Sequence, residues 1–482
     1  MKRREFLKLG VAGVATLFIG RLPGLGVHNA FAADQSLEVT ITDALKDMVT
    51  HNQVNSAQCY FWIYKMKANG VDVPADCPGP TICALKGESV QISIHNDLDE
   101  PHSFFIPGRL PSDPPMFDSG PIGPGETFSG TFTASQSGAF LYYDNLNEPV
   151  NRVMGLHGAL VVRPTVAAAG HKLTPYDNPS SHVQELYDSF GDPNVFPGLA
   201  WEEGDAQTST PPFRQYVWLT HQASPNLFAE VGNLPAGQLY DPTDFVDAFL
   251  RDPFSPTRNN RLPQYFTMCG QSGFFSHFSP AITPMGRVGE PVVVHILSAG
   301  LWTHSMHLHA NHFYVTSEDG VSTQNPLWLD VYTVKPMQWI DYTIPFMRPP
   351  DIPNLRGIGR PDPGQQGLTS GQKVYPPAQE LNLYFPEPGQ SLAFDQNGGV
   401  IDLEQRMSPL CFPMHDHSEP SQTAQGGNYN CGLISGIYFT GDRNTPGFMN
   451  FPMDEDFAMM YRNIRGIAST GPAPGPEPVP EG

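Results

Sequence analysis

The chain has 482 residues, of which 40% are hydrophobic and only 16% charged, with 50 Pro and 46 Gly. A formal net charge of −21 argues against nucleic acid or an anionic membrane surface as a partner. The length allows two or three domains with full cores, and the Pro/Gly density suits many short strands joined by turns, an all-β chain.

The N-terminus reads as an export leader. Met1-Lys2-Arg3-Arg4-Glu5-Phe6-Leu7-Lys8 carries paired arginines, an apolar run from Leu9 to Gly20 follows, and Ala30-Phe31-Ala32 offers a small-x-small cleavage site. That apolar run is short of the roughly 20 residues a membrane span needs, so no span is expected. The pattern is that of a twin-arginine signal, which carries folded proteins to the periplasm or beyond, and residues 1–32 are expected to lie outside the fold. Removing their net +4 leaves a mature chain near −25.

Residues 33–165 read as one sandwich. Gly87-Glu88-Ser89-Val90-Gln91-Ile92-Ser93-Ile94 alternates with period two, Phe128 to Ala134 does the same, and Gly138 to Tyr143 and Gly158 to Val162 complete the strand pattern. Polar, turn-rich residues 166–212 read as a linker with one short helix near Val183 to Phe190. Strand patterns resume at Gln215 to Thr220 and continue through Pro291 to Leu297, Gln338 to Thr343, Glu380 to Phe385 and Gly432 to Phe439. These mark a second sandwich over 213–445, interrupted by a patternless insertion from Pro349 to Pro377. Residues 446–482 form an extension whose Pro/Gly/Glu-rich tail is expected to be disordered. The two halves are candidates for one fold used twice.

Six cysteines, an even number, fit an oxidising compartment. Cys77–Cys83, Cys411–Cys431 and Cys59–Cys269 are one set of pairings the spacing allows, and buried free thiols are the alternative.

The densest chemistry lies in His304-Ser305-Met306-His307-Leu308-His309-Ala310-Asn311-His312, which holds four of the 16 histidines. Met306 to Val315 alternates enough to read as a strand, which puts His307 and His309 on one side, about 6–7 Å apart along the backbone. Neutral imidazoles converging in this way are common ligands for copper, zinc or iron. His415-Asp416-His417 repeats the spacing, and two such strands side by side would aim four imidazoles at one point.

Gly79-Pro80-Thr81-Ile82 with Lys86-Gly87-Glu88-Ser89-Val90, and then Gly155-Leu156-His157-Gly158-Ala159-Leu160-Val161-Val162, resemble the first cupredoxin domain of multicopper oxidases. His304-x-x-His307-x-His309 followed by Phe313 resembles that family's third copper motif, and His415-Asp416-His417 its fourth. The resemblance implies tandem cupredoxin-like Greek-key β-sandwich domains. It also implies a type 1 copper feeding electrons through a Cys–His bridge to a trinuclear cluster that reduces dioxygen.

This chain departs from that pattern. Phe105 and Pro107 stand at the first motif's histidine positions, and Tyr143 and Asn145 at the second's. Asp416 replaces the cysteine of the fourth, and the downstream type 1 histidine falls near Ser421. A carboxylate is hard where a blue copper site needs a soft thiolate, so no blue site and no Cys–His relay are expected. On a strand Asp416 points away from His415 and His417 toward His304, and those two are expected to hydrogen-bond or to hold a different metal weakly.

What remains as metal ligands is His307, His309, His415 and His417, with His304 set apart; four imidazoles suit one ion rather than three. Imidazole suits Cu, Zn, Ni or Fe, and copper is favoured by the resemblance and by the affinity order of divalent ions. Tyr143 is a candidate acid or redox-active phenol on an open face of the ion, Asp416 a second weak catalytic candidate, and His102 a substitute ligand or a surface histidine. His157 and His295 read as structural.

The reading is an exported copper-binding oxidoreductase with one type 2-like centre, no laccase-type dioxygen reduction, a small-molecule or metal-ion substrate and a separate electron donor. The alternative is a metal-free cupredoxin-fold scaffold or partner-binding protein of the periplasm. Copper storage is a third reading, against which stands the lack of methionine-rich runs. Two-domain relatives are often trimers with interfacial copper, so a homo-oligomer is also an expectation, weakened by the missing first-domain ligands.

Overall fold

The computed structural model describes residues 16–18, 36–51, 56–190, 200–201, 204–205, 213–250, 261–279, 282–287, 290–346, 393–394, 400–401, 411–424 and 429–441. Strands dominate them and the helices are few and short. Residues 16–163 build a five-stranded and a six-stranded sheet, and residues 214–441 build another such pair.

In the first half the five-stranded sheet runs Val71–Asp72, Ser56–Ala68, Ser36–Val49, Ser89–Asn96, Thr127–Thr133. The six-stranded sheet runs Thr16–Phe18, Thr81–Leu85, His157–Arg163, Gly138–Tyr143, Phe105–Ile106, Phe117–Asp118. The chain passes repeatedly from one sheet to the other, as a Greek-key sandwich requires. Alternation decides what faces inward. Val90, Ile92 and Ile94 are buried between the polar or exposed Ser89, Gln91 and Ser93, and they join Leu37, Val39 and Ile41 in one core. Ile82, Ala84, Phe140, Tyr142, Leu160 and Val162 of the other sheet complete that core.

The second half repeats the plan. Its six-stranded sheet runs Tyr265–Met268, Arg214–Ala223, Val292–Ser298, Trp339–Ile344, Phe313–Glu318, Val321–Leu329. Its five-stranded sheet runs Met285–Arg287, Ile434–Gly441, Cys411–Asp416, His304–Leu308, Val331–Val334. Both halves are cupredoxin-like β-sandwiches, and the molecule is all-β in class.

The halves are joined through the six-stranded sheet of the first. Ala139, Leu141, Ala159 and Val161, on the face opposite its own core, pack into the core of the second half with Val294, Ile296 and Phe346. Burial on both faces is why Gly158 to Val162 reads as a continuous apolar run instead of alternating. The segment after Arg163 clamps the joint. Asp177 bonds Lys86 at 2.7 Å and Arg109 at 2.7 Å in the first half, while the Tyr176 hydroxyl lies 2.8 Å from that of Thr316 in the second. The expected helix forms at Ser181–Asp188, where Ser180 Oγ accepts from the Val183 N–H as its N-cap.

Several expectations are corrected. Within the segment read as a leader, Thr16–Phe18 pairs in parallel with Thr81–Cys83, at the strand edge where unpaired backbone groups are available. Met306 to Val315 is not one strand. His304–Leu308 and Phe313–Glu318 belong to different sheets, and Ala310, with φ +55°, turns the corner between them. No disulfide joins any of the six cysteines, so the pairings Cys77–Cys83, Cys411–Cys431 and Cys59–Cys269 are not formed. Geometry explains part of this: Cys269 Sγ is turned onto the Val217 carbonyl at 3.1 Å, and Cys59 sits on a first-half strand opposite Lys46. The Pro349 to Pro377 insertion, the Glu380 to Phe385 strand and the 446–482 extension lie outside the described residues. No helix among the described residues is long and apolar enough to cross a membrane.

Candidate metal centre

Strand pairing builds the histidine cluster. His304–Leu308 and Cys411–Asp416 run antiparallel, with His307 opposite His415 and Leu308 opposite Met414. Met306, Leu308 and Met414 are buried in the core, so the residues between them face the other way. The ladder continues one step past each strand end: the His309 N–H donates to the Pro413 carbonyl at 3.0 Å and the His417 N–H to that of Ser305 at 2.9 Å. That extension brings the flanking histidines to the same side.

The ring centres of His307 and His309 are 5.0 Å apart, those of His307 and His415 5.4 Å, and those of His307 and His417 5.0 Å. His309 Nε2 lies 2.8 Å from His415 Nε2. Ligand nitrogens of His307, His415 and His417 all fall within 4.8 Å of one another. His309 and His417 are exposed and the other two half-buried, so the cluster opens at the surface.

Neighbouring groups set the tautomers. His307 Nδ1 donates to the Asp330 carbonyl at 3.0 Å, which leaves Nε2 with a lone pair. His415 Nδ1 faces the Asp416 carbonyl at 3.3 Å and the Tyr429 hydroxyl at 2.7 Å. A carbonyl can only accept, so Nδ1 carries the hydrogen and Nε2 points into the cluster. Burial, then the neighbouring imidazoles, pushes His309 and His415 below the ordinary histidine range, despite the opposing Asp416 carbonyl at His415. Both effects favour the neutral rings that bind metals. This donor set fits one imidazole-ligated ion, copper included.

His304 and Asp416 stand on the other side of the strands. His304 Nδ1 donates to Asp416 Oδ2 at 2.7 Å, and Gln222 Nε2, its amide oriented by the Leu301 N–H, reaches His304 Nε2 at 2.5 Å. Asp416 also accepts from the Ser305 and Ser418 N–H groups and from Ser421 Oγ at 2.8 Å. Burial would raise its carboxyl, but His304, Ser421 and Ser305 outweigh that and hold it below the usual range. With its carboxylate saturated by donors, the Asp416 side chain is a structural anchor, and Asp416 meets His415 through its backbone carbonyl.

The first half contains the same device. His102 Nδ1 lies 2.7 Å from Asp144 Oδ2, and Ser103 Oγ donates to Asp144 Oδ1 at 2.7 Å. In both halves a His-Ser pair meets an aspartate at or just beyond a strand end. His102 is thus fully buried, neither a surface histidine nor a ligand of the cluster. His295 is structural, held by Asp341 at 2.6 Å and Gln215 at 2.9 Å.

Tyr143 does not face the four histidines. Its strand register sets it opposite Phe105 and His157, and its ring meets Phe105 edge-on at 5.4 Å. Asn145 is tied to Ser103 Oγ at 2.7 Å. The phenol at the cluster is instead Tyr429, which no sequence pattern singles out; it is brought to His415 by a turn in which its own φ is +53°.

Two family models, both described as multicopper oxidase, match residues 54–166 and 252–348. Over 112 residues the chain is 35% identical to an L-ascorbate oxidase of Cucurbita pepo var. melopepo, covering 22% of this chain and 20% of that protein. Over 143 residues it is 31% identical to laccase-1 of Agaricus bisporus, covering 27% and 24% respectively. The chain thus spans about a quarter or less of the curated relatives it matches. Among solved structures, a blue copper oxidase from Nitrosomonas europaea aligns over 92% of this chain and 98% of its own at 15% identity and a TM-score of 0.47. A copper nitrite reductase from Nitrosomonas europaea aligns over 86% and 98% at 16% identity and a TM-score of 0.42. With a multicopper oxidase match in each half and a cupredoxin-like sandwich in each, the chain is similar to the multicopper oxidases in a segment of each half.

Proposed function

We propose that this protein is an exported copper-binding oxidoreductase with a single type 2-like centre held by His307, His309, His415 and His417. The observation that carries the reading is the convergence of His307, His415 and His417 nitrogens within 4.8 Å, with His309 Nε2 beside His415 Nε2. Copper held there supplies one-electron redox chemistry. The Asp330 carbonyl fixes the lone pair of His307, and the Asp416 carbonyl does so for His415, with the Tyr429 hydroxyl beside the same nitrogen. Because the surface opens over His309 and His417, a small molecule or a metal ion can approach as substrate.

Dioxygen reduction of the laccase kind is not part of the proposal. Phe105, Tyr143 and Asn145 occupy first-half positions where the family's pattern has histidine, and Asp416 stands where it has the cysteine. Electrons therefore come from a separate donor. The paired arginines and the Ala30-Phe31-Ala32 site support export by the twin-arginine route.

Metal analysis of the purified mature protein tests the reading. About one type 2 Cu(II) per chain, counted by electron paramagnetic resonance, is expected at this centre and lost in His307→Ala and in His415→Ala; a full type 2 Cu(II) complement persisting in both would overturn the ligand assignment. A second reading, a metal-free partner-binding scaffold, draws support from the His309–His415 contact at 2.8 Å, which lets two rings satisfy each other. It predicts a melting temperature unchanged by chelation, whereas a native-state ligand raises it by mass action.

A further inference from the structure

A second cluster lies where the two halves meet. Cys77 precedes the Thr81–Leu85 strand, His157 opens the His157–Arg163 strand, and His221 belongs to the Arg214–Ala223 strand of the other half. All three are buried, and one ligand atom from each falls within 4.8 Å of the others. We propose that Cys77, His157 and His221 form a buried site for one cuprous ion, which ties the two halves together.

The rings are already set for it. His157 Nδ1 donates to the Arg152 carbonyl at 2.8 Å, so Nε2 holds the lone pair, and that nitrogen is buried with no hydrogen-bond partner. His221 Nε2 donates to the Val153 carbonyl at 2.8 Å, so Nδ1 holds its lone pair. An unpaired buried acceptor is costly, and an ion removes that cost. The Cys77 thiol has only a long contact to the Gly155 carbonyl, 3.9 Å. Gly155, with φ +126°, leaves room for the sulfur; a Cβ there would lie 2.9 Å from it.

The chemistry selects the ion. An ion at the centre of the trio sits at most about 2.8 Å from each ligand atom, so sub-ångström shifts give bonds of roughly 2.0–2.3 Å. Thiolate with imidazole selects soft ions, Cu(I) and zinc among them. Structural zinc wants four ligands, and this buried trio offers three. Binding breaks the S–H bond, forms S–Cu and releases the proton to solvent, with no change of oxidation state. Cu(I) with a thiolate is neutral overall, whereas Zn(II) would leave a buried positive charge beside Arg152.

The test uses the full chain carrying His307→Ala and His415→Ala, which silences the surface cluster. The reduced protein is refolded anaerobically with one equivalent of Cu(I), challenged with bicinchoninate, and examined by copper X-ray absorption. Retained Cu(I) with one sulfur and two imidazole neighbours is expected, and Cys77→Ser should weaken retention by at least ~100-fold. Loss of all copper to the chelator, or a spectrum with nitrogen and oxygen neighbours only, overturns the proposal. Should Cys77→Ser fail to refold, the absorption spectrum of the parent decides alone.

Discussion

Asp416 and Tyr429 divide the labour around the strand that bears His415. Asp416 faces the interior and saturates His304, two backbone N–H groups and Ser421; Tyr429 faces the cluster and holds His415 Nδ1. Asp416→Ala strands a buried imidazole and several donors, so it should cost roughly 3–5 kcal/mol in denaturant unfolding while leaving copper per chain unchanged. Tyr429→Phe should do the reverse, with stability nearly intact and copper affinity down about 10–100-fold in chelator competition. The inward turn of Asp416 was legible because period two on a strand separates it from its histidine neighbours. Tyr429 and the Asp330 carbonyl were not legible, since each reaches the cluster only through a turn or a neighbouring strand.

Among elements, the runs predicted as strands at Gly87 to Ile94, Gly138 to Tyr143 and Gln215 to Thr220 form strands Ser89–Asn96, Gly138–Tyr143 and Arg214–Ala223. The Met306 to Val315 run misled because a chain crossing from one sheet to the other can keep its apolar alternation through the corner, here at Ala310. Asp177 shows what a linker can carry. Burial raises its carboxyl, but Lys86, the Ser137 N–H and Arg109 outweigh that and hold it at about 2. Its folded value is thus below the unfolded value of about 3.9. The stabilisation is therefore complete above that value and disappears as pH falls toward 2. Thermal melts of Asp177→Asn should lie below wild type at pH 7 and converge with it near pH 2; a constant gap would show the carboxylate charge is not what clamps the joint.

Across the whole molecule, Leu141 and Val161 belong to the first half by sequence and to the second half's core by packing. The apolar run Gly158 to Val162 was legible as a strand but its burial on both faces was not, because the partner that covers the second face lies beyond the 166–212 linker. Shared burial couples the halves, so calorimetry of the mature protein should show one cooperative transition; two well-separated transitions would contradict that coupling. The paired His–Asp anchors, His102 with Asp144 and His304 with Asp416, fit one fold used twice, with the surface histidine cluster, among the described residues, in the second copy.

The account rests most heavily on His307, His309, His415 and His417 holding one copper ion. Electron paramagnetic resonance of native protein loaded with one equivalent of Cu(II) tests that directly. A type 2 signal with nitrogen hyperfine structure, altered in both His307→Ala and His415→Ala, is the predicted result; a signal identical in wild type and both variants would contradict it.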